Sequence, residues 1–299
     1  MEVGLSVAAI VLGFDRLAKT RACVASLLRS EHVDLRVLLF DNGSSDGTAE
    51  AIAAEFPDVQ VVGSPTNLGA AEGRNRAVGA ATTAWAPELL WFVDDDAEVH
   101  PGAGAALATP FQEPDADRLG ATAGKIRYPG EPARIYVAGG SELHLWRGDT
   151  SPRGQGELDR GQYDRREPCV PGAGCTMVRR EAFEAVGGFD PAYDPYGYED
   201  LDFSLRLIES GWRVLYVPEA VAWHERGNTL GRGRYTAQYA KIKRRNWLRF
   251  LRRHGSWFDR AAFWSVGAPL LLGRALIREL GRGNLSAVGG LLGFGREGR

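Results

Sequence analysis

Sulfur is scarce in this chain: 299 residues carry three cysteines and two methionines. Cys23, Cys169 and Cys175 make no even disulfide set and none stands in a CxxC pair, so a disulfide framework is excluded and a reducing cytosol is the expected compartment. No apolar run reaches the roughly 18 uninterrupted residues that a membrane span needs. The N-terminus enters a strand-like run, Leu5–Leu12, with no basic region or cleavage site before it, so no signal peptide is expected. After that run comes Gly13-Phe14-Asp15-Arg16, without G-x-G-x-x-G or a P-loop lysine, and the dinucleotide fold fails where it needs a phosphate-binding turn. No Ser–His or Cys–His arrangement suggests a covalent nucleophile.

Charge is plentiful and unevenly placed. The 44% hydrophobic and 25% charged content is that of an ordinary soluble protein, and the length suits one large domain or a domain with an appendage. Net charge is −2, yet from Glu225 to Arg299 sixteen Lys/Arg face four acids, while the remainder holds 20 basic and 34 acidic residues. A basic C-terminal third calls for an anionic partner.

Alternation dominates the first hundred residues. Strand patterns at Leu5–Leu12, Leu35–Phe40, Val59–Val62 and Leu89–Val93 are separated by helix patterns at Leu17–Leu28, Thr48–Glu55 and Ala70–Ala81. Such an order predicts a mainly parallel sheet flanked by crossover helices. Short strands follow at Gly120–Tyr128, Ile135–Ala138, Glu142–Trp146 and Cys175–Arg179, with Thr150–Glu167 reading as a mobile surface loop. Helices are expected at Glu181–Val186 and Asp200–Ser210, and a strand at Arg213–Val217. Beyond His224 the pattern is helical: Tyr235–His254, Phe258–Gly281 and Leu285–Leu292.

The chemistry concentrates at strand ends. Leu89–Val93 delivers Asp94, Asp95 and Asp96 to the end of a buried strand, and carboxylates packed there need a partner, for which a hard divalent cation is the obvious choice. The plainer reading is an acidic turn capping a following helix with Pro101 in its first turn. Asp41 closes the second strand, able to accept from a base or ribose, while Asp46 or Thr48 could cap the next helix. In Asn67-Leu68-Gly69-Ala70-Ala71-Glu72-Gly73-Arg74-Asn75 the glycines permit close approach of a ligand or backbone, and Arg74 could meet phosphate or lie exposed on its helix. Glu199, Asp200 and Asp202 open a helix; Asp202 can pair with Arg206 along it, and the adjacent Glu199 and Asp200 point in different directions, so one can serve as a base while another caps. His224 ends a strand-like run and is either structural or a metal ligand.

In order, the motifs DNGSSDGT (from Asp41), NLGAAEGRN (from Asn67), FVDDD (to Asp96), GCTMVRREAF (from Gly174), GGFD (to Asp190), YEDLDFSLRL (from Tyr198) and the terminal Trp223-His224 resemble the family 2 glycosyltransferases of the GT-A fold, especially bacterial rhamnosyltransferase-like members. The likeness covers roughly residues 5–250, and it departs at Gly13-Phe14-Asp15-Arg16, where the family has Thr-Tyr-Asn-Arg. It implies an α/β GT-A fold with a mixed, mainly parallel Rossmann-like sheet flanked by helices and a helical C-terminal extension. The nucleotide-sugar half would occupy about 1–100, the acceptor half about 101–230 and the extension 231–299. The implied reaction is an inverting transfer from a nucleoside-diphosphate-sugar, UDP- or dTDP-linked, to a glycan, lipid-linked or other small acceptor. Asp41 would contact the base; Asn67, Gly69, Arg74, Asp94 and Asp95 would line the donor site. Asp96, Asp94 and His224 would hold Mg²⁺ or Mn²⁺, with Asp200 the base and Glu199 the alternative. A nucleotidyltransferase and a catalytically silent sugar-nucleotide-binding scaffold are the rival readings. Neither donor sugar nor oligomeric state is written in the sequence.

The C-terminal run from Tyr239 to Arg253 joins a cationic face to Trp247 and Leu248, and beyond it come Phe263, Trp264 and Leu270–Leu272 among arginines. This composition suits helices lying in an anionic membrane interface, peripheral on the inner face, or a helical pair packed on the catalytic domain. Nucleic acid is not expected, because no nucleic-acid module accompanies the charge.

Overall fold

The computed structural model describes residues 4–172, 174–224 and 237–281. Strands β1 (Ser6–Gly13), β2 (Asp34–Asp41), β3 (Gln60–Gly63) and β4 (Leu89–Asp94) alternate with helices α1 (Leu17–Leu28), α2 (Thr48–Glu55) and α3 (Ala70–Trp85). Then come β5 (Ala97–Val99), α4 (Ala103–Ala108), β6 (Leu119–Tyr128), β7 (Glu131–Ala138), β8 (Ser141–His144), β9 (Asp149–Pro152), β10 (Glu167–Pro168), β11 (Cys175–Arg179), α5 (Arg180–Ala185), α6 (Glu199–Glu209) and β12 (Arg213–His224). The last described helices are α7 (Ala237–His254), α8 (Trp257–Ala262) and α9 (Ala268–Gly281).

Among the described residues ten strands form one sheet in the order β10-β12-β6-β11-β4-β1-β2-β3, with β5 on β12 and β7 on β6. The β3-β2-β1-β4 block is parallel; β11 enters antiparallel between β4 and β6. Strands here are apolar on both faces because helices cover both. Their pleat divides the core: Val7, Ala9, Val11, Leu89, Trp91 and Val93 pack with Cys23 and Leu27 of α1 and Leu107 of α4. The alternate residues Ala8, Ile10, Leu90 and Phe92 pack with Ala77 and Ala81 of α3, Phe183 of α5 and Phe203 of α6. Small residues on α3 let it lie close to β1: a Cβ on Gly73 would meet Leu12 Cδ1 at 2.7 Å. Gly73 therefore lets the α3 backbone lie against the Leu12 side chain.

Three expectations need correction. The three aspartates lead into β5, not a helix, and α4 starts only at Ala103. Helix α3 runs on to Trp85, because no glycine or proline stands between Ala81 and Pro87. The Thr150–Glu167 stretch is no free loop. It supplies part of β9 and the Glu167 end of β10, and its Asp159 side chain is 4% exposed. Asp159 accepts from Lys125 Nζ at 3.0 Å and pairs with Arg127, and Asp164 also takes a hydrogen bond from Lys125. A buried ammonium needs such partners.

Two compact units divide the chain. One comprises Met1–Ser141, Pro152–Pro195 and Glu199–Arg226; the other comprises Glu142–Ser151, Tyr196–Tyr198 and Gly227–Arg299. In the second, Asn246 Nδ2 donates to the carbonyls of Tyr196 and Gly197, and Lys243 lies 4.6 Å over the Tyr198 ring. Ser256 and Asp259 form a capping box at the start of α8, and a π-helical turn, Phe263–Gly267, joins α8 to α9. The Leu285–Leu292 helix expectation lies outside the described residues.

Candidate active site

Parallel pairing sets the strand ends level. Gly13 pairs with Asp41 and Leu12 with Asp94, so both acids stand at the carboxyl edge on either side of β1. That edge is where an open α/β sheet binds ligands. Asp41 is 8% exposed; its Oδ2 accepts from Ser44 N at 3.2 Å, while its buried Oδ1 has no hydrogen-bond partner among the described residues. A buried lone acceptor of this kind is costly unless a ligand supplies a donor.

The loop after β3 is tied to the loop after β2. Asn42 accepts from Leu68 N at 2.9 Å and donates to Asn67 Oδ1 and Gly69 O, and Asn67 Oδ1 also accepts from Gly69 N. Gly69 has φ +93°, and a Cβ there would come 2.4 Å from Asp194 Oδ1. Asp194 reaches across from the segment before α6 and accepts from Ala71 N (2.8 Å) and Glu72 N (3.2 Å) at the open end of α3. Sequence reasoning did not single out Asp194, and its distance along the chain left no local signal.

One turn into α3, the Arg74 side chain is 12% exposed, against the reading of an exposed helical arginine. It donates through Nη1 to Glu199 Oε1 and through Nη2 to Asp94 Oδ1, both at 3.0 Å. Burial opposes its charge, but Asp94 and Glu199 outweigh that and raise its pKa. The two helix-opening acids do point apart. Glu199 holds Arg74, whereas Asp200 lines a small cleft with Gly172, Thr176, Phe203 and Ser204. Asp202 accepts from Tyr193 OH and from Arg206 Nε at 2.7 Å, the pairing along the helix that its spacing predicts.

The end of β4 and the turn after it give the three aspartates different partners. Asp94 and Asp96 face His224 at the end of β12: Nε2 stands 2.9 Å from Asp96 Oδ1 and 3.5 Å from Asp94 Oδ2. Asp95 turns the other way, accepting from Phe14 N (3.3 Å) and Arg16 Nη1 (3.1 Å), and Arg16 also donates to Asp96 at 2.8 Å. Arg16 was missed as a partner for these acids. Its signal was a cation on the loop after the strand that pairs with β4.

Electrostatics follow from this packing. Burial works against a charged His224, yet its hydrogen bonds to Asp94 and Asp96 raise its pKa to about 10. Burial likewise opposes ionisation of Asp94, but His224 and Arg74 hold it well below the usual carboxylate range. Asp95, where burial prevails over Arg16, is raised to about 6. Below the site, the buried Cys23 thiol donates to Asp94 O.

Asp94, Asp96 and His224 each offer a ligand atom, and these all lie within 4.8 Å of one another. Ligands of a small divalent cation at about 2.1 Å stand about 3 Å apart at right angles, close to the 2.9 and 3.5 Å that part His224 Nε2 from Asp96 and Asp94. Two carboxylate oxygens and one imidazole nitrogen form a donor set that suits Mn²⁺ and accepts Mg²⁺. The residues therefore fit a cation.

The family model described as glycosyltransferase like family 2 matches residues 5–248. An N-acetylglucosaminyl-diphospho-decaprenol L-rhamnosyltransferase from Mycobacterium tuberculosis is 29% identical over 289 residues, covering 89% of this chain and 92% of the relative. Among solved structures, GalNAc-T7 with UDP, GalNAc and Mn²⁺ aligns at TM-score 0.60 and 18% identity, over 81% of this chain and 48% of its own. The mannosyltransferase PcManGT from Pyrobaculum calidifontis, in complex with GDP-Man and Mn²⁺, aligns at TM-score 0.54 and 17% identity, over 97% of this chain and 86% of its own.

Proposed function

Because the chain belongs to glycosyltransferase like family 2 and is a glycosyltransferase of the GT-A fold, we propose that it moves a sugar from a UDP- or dTDP-sugar to a hydroxyl of a lipid-linked glycan acceptor, with inversion. The observation that carries this reading is the convergence of Asp94, Asp96 and His224 within 4.8 Å at the strand edge that also holds Asp41. The lipid-linked acceptor is suggested by the name of the mycobacterial relative.

The residues divide the work. Asp41 Oδ1 accepts from the nucleobase, and the Asn42–Asn67–Gly69 loop shapes the approach to the donor. Arg74 orients Asp94 and lies ready for the diphosphate. Asp95 fixes the loop after β1 through Phe14 and Arg16. Asp94, Asp96 and His224 would hold Mg²⁺ or Mn²⁺, whose Lewis acidity spreads the charge of the departing diphosphate. Asp200 takes the acceptor hydroxyl proton as the new oxygen–anomeric-carbon bond forms and the carbon–phosphate-oxygen bond breaks on the opposite face. Glu199, held by Arg74, is the poorer base. The anomeric centre carries oxocarbenium character in between and emerges inverted.

A donor screen tests this: purified protein, Mn²⁺ or Mg²⁺, and UDP-, dTDP- and GDP-sugars including rhamnosyl donors, followed by diphosphate release and thermal shift. Metal-dependent stabilisation and turnover with one donor is the expected result. Folded protein that answers to no donor with metal present sinks the proposal.

A further inference from the structure

The second unit displays an unusual surface. Thirteen large apolar side chains are exposed among the described residues, and eight of them fall between Trp257 and Leu280. Trp257, Phe258 and Trp264 are 76%, 62% and 61% exposed, followed by Val266, Leu270, Leu272, Ile277 and Leu280. No described residue of α8 or α9 is buried, but the π-helical turn between them is packed. Phe263 is buried beside Trp247, and a Cβ on Gly267 would meet the Trp146 carbonyl oxygen at 2.2 Å. The outward apolar side chains therefore flank an anchored turn, with Trp257 and Phe258 set at the start of α8 by the Ser256–Asp259 capping box.

Charge accompanies the apolar surface. Helix α7 carries seven lysines and arginines and no acid. Lys241, Arg244, Arg245, Arg252 and Arg253 are exposed on it, while Trp247, Phe250 and Leu251 are buried. From Ala237 to Gly281 ten basic residues face two acids. None of the described helices is long and apolar enough to cross a membrane.

From this pairing we infer that α8, the π-helical turn and α9 lie in the plane of an anionic lipid surface, with Trp257, Phe258 and Trp264 inserted at headgroup depth and the cations of α7 meeting lipid phosphates. Tryptophan and phenylalanine beside arginine form the chemistry that an interface selects, since one part enters the acyl boundary and the other stays with the headgroups. A second copy of the chain fits less well, because a two-fold contact would bring two acid-free cationic helices together. This inference rests on the reading of the acceptor as lipid-linked, since such an acceptor must be met at a membrane surface.

Vesicle flotation of the full chain tests it, with phosphatidylcholine alone against phosphatidylcholine mixed with phosphatidylglycerol. Binding to the anionic vesicles only, weakened by salt, is expected. The triple variant Trp257→Ser, Phe258→Ser, Trp264→Ser changes exposed positions only and should lose about a hundredfold in partitioning. Its turnover of donor with a water-soluble acceptor should be unchanged. Equal binding to neutral vesicles overturns the anionic assignment. No flotation, with or without a dimer in sedimentation that the triple variant dissociates, overturns the lipid assignment altogether. Vesicle binding needs neither donor nor metal, so a chain that floats yet transfers no sugar would refute the proposed reaction and leave the surface standing.

Discussion

Arg74 donates through Nη1 to Glu199 Oε1 at 3.0 Å, joining α3 to the first turn of α6 across 125 residues of chain. Of the two adjacent acids in that turn, one is committed to a guanidinium and the other lines a cleft. Asp200→Asn should therefore lower turnover about 10²–10⁴-fold while donor affinity persists. Glu199→Gln should act mainly through stability. Equal losses of turnover from both changes would contradict the assignment of Asp200 as base.

Removing Arg74 leaves Glu199 buried without its cation. Arg74→Met should cost about 3 kcal/mol in urea unfolding. Adding Glu199→Gln should recover part of that loss, since a neutral amide tolerates the site better. A strictly additive double variant would show that the pair does not interact as its geometry indicates.

Proton and metal compete for His224 Nε2. Its pKa is raised to about 10, so the ion-paired proton stabilises the metal-free fold fully below pH ~6.5 and is lost as pH rises through the folded value. Mn²⁺ affinity, followed by calorimetry, should accordingly rise about tenfold per pH unit above neutrality until that value is approached. His224→Gln should flatten the dependence. PH-independent affinity in the unaltered chain would remove His224 from the ligand set.

Gly69→Ala should destabilise by about 2 kcal/mol, because its φ of +93° disfavours a side chain and the added Cβ meets Asp194. Asp194→Ala should itself cost about 1 kcal/mol by uncapping α3. Together the two should cost less than their sum, and additivity in thermal melts would show that no clash exists.

Lys125→Met should cost about 3 kcal/mol, since Asp159 stays buried with Arg127 as a partial partner. Burial opposes ionisation of Asp159, but the hydrogen bonds from Arg127 and Lys125 lower its pKa. The stability it contributes is thus present above its ordinary value near pH ~3.9 and is lost as pH falls further. Acid unfolding that is unchanged in Asp159→Asn would refute this.

The sequence exposed the order of strands and helices because alternating apolar runs and crossover helices leave local periodicity. Helix α1 was legible residue for residue, as Leu17–Leu28. What stayed hidden depended on distant partners. Thr150–Glu167 is rich in glycine, arginine and aspartate, and nothing local tells that Asp159 meets Lys125 thirty-four residues back. The same holds for Asp194 and α3. The separate partners of Asp94, Asp95 and Asp96 were hidden too, because Asp95 and Asp96 stand in the turn between β4 and β5, where strand alternation no longer orients side chains.

That alternation constrains how the protein can drift. Leu89–Val93 can exchange one apolar side chain for another, but gaining or losing a single residue there would turn Asp94 to the opposite face of the sheet, away from Arg74 and His224. The strand is a ruler: its composition is negotiable, and its length is not.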